Sequence, residues 1–119
     1  MAACVQCLSS SGKIIGCDIS SPGLESRGVV LDRHSHVDLD TCDIHDTWNS
    51  GVWARGDSTC TITSSTVTRC GGYGAIYSTN GAVIKVDEIK QSSNPRGCGV
   101  FVLHDRSRVF LNRLIIKSP

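Results

Sequence analysis

The chain has 119 residues, with 12 basic and 11 acidic side chains and a formal charge of +1. That length bounds it to one domain, and the near-neutral balance gives no general attraction to nucleic acid or an anionic membrane surface. Val, Ile, Thr, Ser and Gly are plentiful and aromatics make up only 5%, a composition of strands and turns rather than helices.

The opening segment, "MAACVQCLSSSGKIIGC", has no basic start followed by a long apolar stretch, so it does not read as a signal peptide. Nowhere do about 18 apolar residues run together, so no membrane span is expected. Seven cysteines are present, an odd number. The "CVQC" pair lacks the second CxxC or HxxxH of a zinc module. Free, mostly buried thiols in a reducing, intracellular (cytoplasmic) compartment are therefore expected, with no cofactor.

From there the chain repeats itself. Gly28, Gly51, Gly74 and Gly99 open the phrases "GVVLD", "GVWAR", "GAIYS" and "GVFVL", at intervals of 23, 23 and 25 residues. A second phrase follows each: "HVDLDTCDIHD", "TCTITSSTVTR", "AVIKVDEIKQ" and "RVFLNRLIIKS". The first segment supplies a weaker copy, "CVQCL" with "GKIIGCDIS". The copies span residues 3–27, 28–50, 51–73, 74–98 and 99–119 of a single domain. Periods of this length mark solenoids.

Stacking the copies gives columns. Gly12, Val37, Cys60, Ile84 and Val109 fall together, followed by Ile14, Leu39, Ile62, Val86 and Leu111. Two further columns hold Cys17, Cys42, Ser65, Ile89 and Leu114, then Ile19, Ile44, Val67, Gln91 and Ile116. They are mostly apolar or small and alternate with polar residues, as strands buried on one face require. In the first phrase the same alternation points Val29 and Leu31, Val52 and Ala54, Ala75 and Tyr77, and Val100 and Val102 inward, with Tyr77 a poor fit. The predicted fold is all-β: a single-stranded parallel β-helix of about five rungs, each rising about 4.8 Å. The lack of a six-residue period favours the right-handed form.

"GVWARGDSTCTITSSTVTRCGGYG" and its neighbours resemble the right-handed parallel β-helix repeats of pectin-lyase-like proteins. They are closest in texture to the non-enzymatic β-helix parts of certain F-box ubiquitin-ligase subunits and SHC-binding spindle proteins. The shared signature is G-[VIA]-x-[VLA] followed by C/N-x-[IV], over roughly residues 3 to 117. The resemblance implies architecture. It leaves function open, because such repeats serve lyases, hydrolases, tailspikes and adaptors alike.

Several residue groups are candidates for function. In the first strand the outward column reads Val30, Trp53, Ile76 and Phe101, apolar where a soluble repeat should be polar. A stripe of this kind, about 15 Å long by strand spacing, is expected to dock a protein partner, since Trp and Phe are favoured interface anchors. A terminal segment folded over it is the alternative. On the second strand Asp38, Asp40, Lys85 and Asp87 form an acidic face with one cation. Asp40 and Asp87 lie two rungs, roughly 9.6 Å, apart, near the upper limit for inversion at a glycosidic bond. A polysaccharide lyase or glycoside hydrolase using this face, with carbohydrate as ligand, is the runner-up to a non-catalytic binding or scaffolding module.

Other motifs weigh less. His36 beside Asp38 and Asp40 suggests a divalent ion, but Thr61, Thr63, Ser11, Lys13 and Ile15 in adjoining rungs add too few ligands, so a solvated face is expected and no metal is assigned. The RGD at Arg55–Asp57 falls at a corner where Gly56 supplies a turn. Cys17, Cys42 and Cys60 read as core, whereas Cys70 and Cys98 sit at turns with no base nearby. Thr alternation in "TCTIT" and "STVT" would suit an ice-binding face, but only one copy carries it. Finally, the chain begins and ends inside a rung, leaving strand edges that another chain or a longer protein is expected to cover. Self-association through those edges is a second expected mode of partnership.

Overall fold

The computed structural model describes residues 3–21, 26–71, 76–93, 101–103 and 106–116. Among them every regular element is a strand. The first turn of the coil comprises β1 (Ala3–Leu8), β2 (Ser11–Ile15) and β3 (Asp18–Ser21). The second comprises β4 (Arg27–Asp32), β5 (His36–Asp40) and β6 (Asp43–Thr47), and the third β7 (Val52–Ala54), β8 (Thr59–Thr63) and β9 (Ser65–Cys70). In the fourth and fifth turns the second and third strands run on as one: β10 (Ile76–Ser78) with β11 (Val83–Ser93), then β12 (Phe101–Leu103) with β13 (Arg108–Ile116). Three turns are thus fully three-sided, fewer than the five rungs expected, and β10 to β13 continue the stack without a separate third strand.

Every pairing is parallel and joins one turn to the next. The first strands form a five-stranded sheet in the order β1-β4-β7-β10-β12. The second and third faces make an eight-stranded sheet, β2-β5-β8-β11-β9-β6-β3 with β13 also on β11. They are joined because β11 turns the corner without a break.

Corners between second and third strands recur at equivalent places. Gly16 (φ 64°), Thr41 (φ 55°) and Ser64 (φ 49°) each adopt the left-handed conformation that bends the chain in one residue. For Thr and Ser that geometry costs roughly 1–2 kcal/mol, offset by bonds to the next turn. The Gly16 amide donates to the Asp40 carbonyl at 2.9 Å, and the Thr41 amide to that of Thr63 at 3.0 Å. Buried serines line the inside of the corners: Ser58 Oγ accepts the Ser35 amide, and Ser65 Oγ the Cys42 amide, each at 3.1 Å. Gly28 is required by proximity, since a Cβ there would lie 2.5 Å from the Gly51 carbonyl oxygen of the turn below.

The columns of the second face stack as the period predicts. Ile14 pairs with Leu39, Leu39 with Ile62, Ile62 with Val86, and Val86 with Leu111. Leu39, Ile62 and Val86 are sealed in the core, while Leu111 in the same file is 51% exposed. Burial of such side chains contributes about 1.5–3 kcal/mol each, so the core exists only because neighbouring turns close over it.

Three expectations are corrected. On the third face a register shift between Ile89 and Gln91 places Gln91 opposite Thr66 and brings Ser92, not Gln91, into line with Val67. Cys17 is exposed rather than core, whereas Cys70, placed by the sequence at a turn, is fully buried. Cys98, Gly74, Gly99, Ala75 and Val100 lie outside the described residues. The third correction concerns the outward stripe.

Candidate functional site

On the first face the pairing runs Val29–Val52–Ile76–Phe101 in one column and Val30–Trp53–Tyr77–Val102 in the next. Ile76 and Phe101 therefore do not continue the Trp53 column; Tyr77 and Val102 do. The chain between Gly71 and Ile76 carries one residue more than the preceding turn, which moves Ile76 into register with Val52. Physical chemistry favours the same outcome. Ile76 gains from complete burial, while Tyr77 stays half-buried with its ring stacked on Trp53. Val30 has the outward register but is fully buried. Of the expected stripe, Trp53 is half-buried and its neighbour in register is Tyr77, also half-buried, while the Phe101 side chain lies outside those described.

Trp53 is held on several sides. Its ring stacks on Tyr77 with centroids 5.8 Å apart and planes 18° from parallel. The Arg27 guanidinium lies 4.6 Å from the Trp53 ring centre and that of Arg55 5.0 Å. The indole N–H donates to Thr79 Oγ1 at 2.9 Å. Arg55 also faces Asp32 at 3.5 Å. The RGD is thereby built into the stack: Gly56 has φ 61°, and a Cβ on it would strike Asp32 and the Arg33 amide.

The acidic face of the second strand divides into two shallow depressions. One, of about 200 Å³, is lined by Lys13, Ile15, Asp38, Asp40 and Thr63; the other, of about 260 Å³, by Lys85, Asp87, Phe110 and Asn112, and both reach Thr61. Lys13, Asp38, Thr61, Lys85 and Phe110 follow one another in register down the coil. Asp38, Lys85 and Asp87 are exposed, and Asp40 is half-buried. Asp40 accepts the Thr41 hydroxyl at 2.9 Å, and Asp87 accepts the Asn112 amide at 2.8 Å. The carboxylates of the expected pair thus belong to separate depressions. His36 stands opposite Ser11 and Thr59, and joins no cluster of three metal-donor side chains among the described residues.

The densest polar cluster lies elsewhere, on the third face. Asp18 and Asp43 are in register on adjacent turns, and His45 projects two residues beyond Asp43. His45 Nε2 lies 2.5 Å from Asp18 Oδ1 and Nδ1 lies 2.6 Å from Asp46 Oδ2. Arg69, one turn on, donates to both Asp46 oxygens at 2.8 Å. Hydrogen bonding to Asp46 first, then to Asp18, raises the His45 pKa above the ordinary imidazole value. Arg69, and then His45, hold the Asp46 carboxyl well below the usual carboxylate range. The signal was available in the sequence: Asp18 and Asp43 are 25 residues apart, one period, and "DIH" puts Asp43 and His45 on the same side of a strand.

A family model described as "Right handed beta helix region" matches residues 3–116. Neither the curated proteins nor the solved structures contain a match.

Proposed function

The chain belongs to the right-handed β-helix family, and from that architecture we propose that it is a non-catalytic protein-binding or scaffolding module. It works as a component of a larger assembly in a reducing compartment. The observation that carries the reading is the fixed aromatic pair on the first face. Trp53 is half-exposed, yet stacked on Tyr77, flanked by two guanidinium groups and hydrogen-bonded to Thr79. A ring held in place before binding loses little freedom on contact, which favours it as an anchor for a partner. Phe110, exposed on the outer side of the second face, adds apolar surface for a partner.

The second reading, a carbohydrate-active coil, is favoured by the lysine and carboxylate linings of the two depressions on the second face. Against it stands the division of Asp40 and Asp87 between them. Hydrolysis needs both carboxylates flanking one bond.

Immobilised chain, cross-linked to proteins of its native source and compared by quantitative mass spectrometry with variants, separates the two. Trp53→Ser should weaken retention of the enriched partner at least about 30-fold, the effect of losing roughly 2 kcal/mol of anchor energy. Trp53→Phe and the Asp40→Ala, Asp87→Ala pair should retain it. Release of reducing ends or unsaturated products from polysaccharide, abolished by the two Asp variants, would replace this reading with the second. Unfolding of Trp53→Ser at ambient temperature would show the indole to be core and not anchor.

A further inference from the structure

We propose that Asp18, Asp43 and His45 bind one divalent transition cation, Zn²⁺ foremost, which ties the first turn of the coil to the second. The site is on the third face and is independent of the docking reading.

The three donor groups lie within 4.8 Å of one another. Carboxylates alone would not distinguish a cation site from a wet surface; the imidazole and what stands behind it do. The Asp46 carboxylate sits at Nδ1 of His45, 2.6 Å away, and is itself gripped by Nε and one Nη of Arg69, each at 2.8 Å. A carboxylate fixed at Nδ1 holds the single proton of a neutral ring there, which leaves the Nε2 lone pair directed at Asp18. This is the arrangement by which outer carboxylates orient a metal-binding histidine. Asp43 is oriented likewise: the Thr66 hydroxyl donates to its Oδ1 at 2.6 Å, leaving Oδ2 for a ligand.

Charge and donor type select the cation. With His45 neutral, the three aspartates and Arg69 leave two uncompensated negative charges, the complement of a dication. One imidazole nitrogen with two carboxylate oxygens suits four-coordinate zinc completed by water. Calcium asks for six to eight oxygens and magnesium for an octahedron of them. Zinc would take the place of the proton that otherwise links Nε2 to Asp18, and the two turns would be joined by a coordinate bridge.

The test is a zinc titration of the full chain under reductant, by calorimetry in competition with a weak chelator, alongside the Co²⁺ absorption spectrum. One equivalent should bind and raise the unfolding midpoint. His45→Gln and Asp43→Asn should weaken binding at least about tenfold, and Asp46→Asn by about 10–100-fold through the lost orientation of the ring. Asp18, whose side chain is 73% exposed, supplies a variant with little risk to folding: Asp18→Asn should weaken zinc while lowering the zinc-free unfolding midpoint by no more than the small contribution of an exposed ion pair. Cys4→Ser with Cys17→Ser should change nothing, and the Co²⁺ spectrum should lack thiolate charge-transfer bands. Three results overturn the assignment: no stoichiometric binding, affinity unchanged in His45→Gln or Asp18→Asn, or thiolate bands that disappear with the cysteines.

Discussion

Replacing Ile62 with Ala should destabilise the coil by about 2–5 kcal/mol, while Thr61→Ala, one residue away, should change it by about 0.5 kcal/mol or less. Ile62 is fully buried, with Leu39 above it and Val86 below. Truncation removes contacts to both turns and leaves a cavity that neither rigid neighbour can fill. Thr61 has the opposite orientation, between Asp38 and Lys85 on the half-open outer face. Because a domain of this size has only about 5–15 kcal/mol of stability, the Ile62 effect should be plain in urea unfolding. Equal effects at the two positions would mean that the strand does not alternate between core and solvent.

Cysteine reactivity should separate into two classes differing in rate by at least about 10³-fold, the suppression that an opening free energy near 5 kcal/mol imposes. Cys4 and Cys17 are exposed and should be alkylated at the rate of free thiols, while Cys42, Cys60 and Cys70 are sealed in the core. Burial also pushes the Cys60 thiol far above its ordinary pKa, with Asp38 adding to the effect, and burial raises Cys70 too. The nucleophilic thiolate is therefore disfavoured as well as hidden. Peptide-resolved iodoacetamide labelling measures this directly. Alkylation of Cys60 as fast as Cys4 would mean that the turns do not close over the file.

The period made most of this architecture legible before any coordinates. Equivalent residues 23 to 25 apart could be stacked by counting, and the files through Val37 and Leu39 followed at once. Counting failed where the period changes. Alignment of the fourth turn on Gly74 sets Ile76 beside Trp53, but the pairing of Ile76 with Val52 requires one residue more between the turns, which exchanges inner and outer positions and makes Tyr77 the neighbour of Trp53. The misfit of an inward Tyr77 was the warning. The shift between Ile89 and Gln91 escaped for the same reason, since a one-residue irregularity leaves the polar and apolar pattern nearly intact. Column membership alone does not fix exposure, which is why Cys17 is exposed and Cys42 in the same file is buried. As for the sites, the clustering of His36 with Asp38 and Asp40 drew on neighbours within one strand. The His45 cluster is assembled across three turns, where only the stacked columns bring Asp18, His45 and Arg69 together.

The proposed docking pair and cation bridge, and the sealed cysteines, all depend on successive turns lying directly over one another. Methyl-labelled protein and nuclear Overhauser spectroscopy test this most directly. Strong cross-peaks are predicted between Leu39 and Ile62 and between Ile62 and Val86, about 4.8 Å apart by strand spacing, with far weaker transfer from Leu39 to Val86 at twice that separation. Absence of both adjacent-turn cross-peaks in the folded chain, or transfer between Leu39 and Val86 as strong as either, would contradict the account.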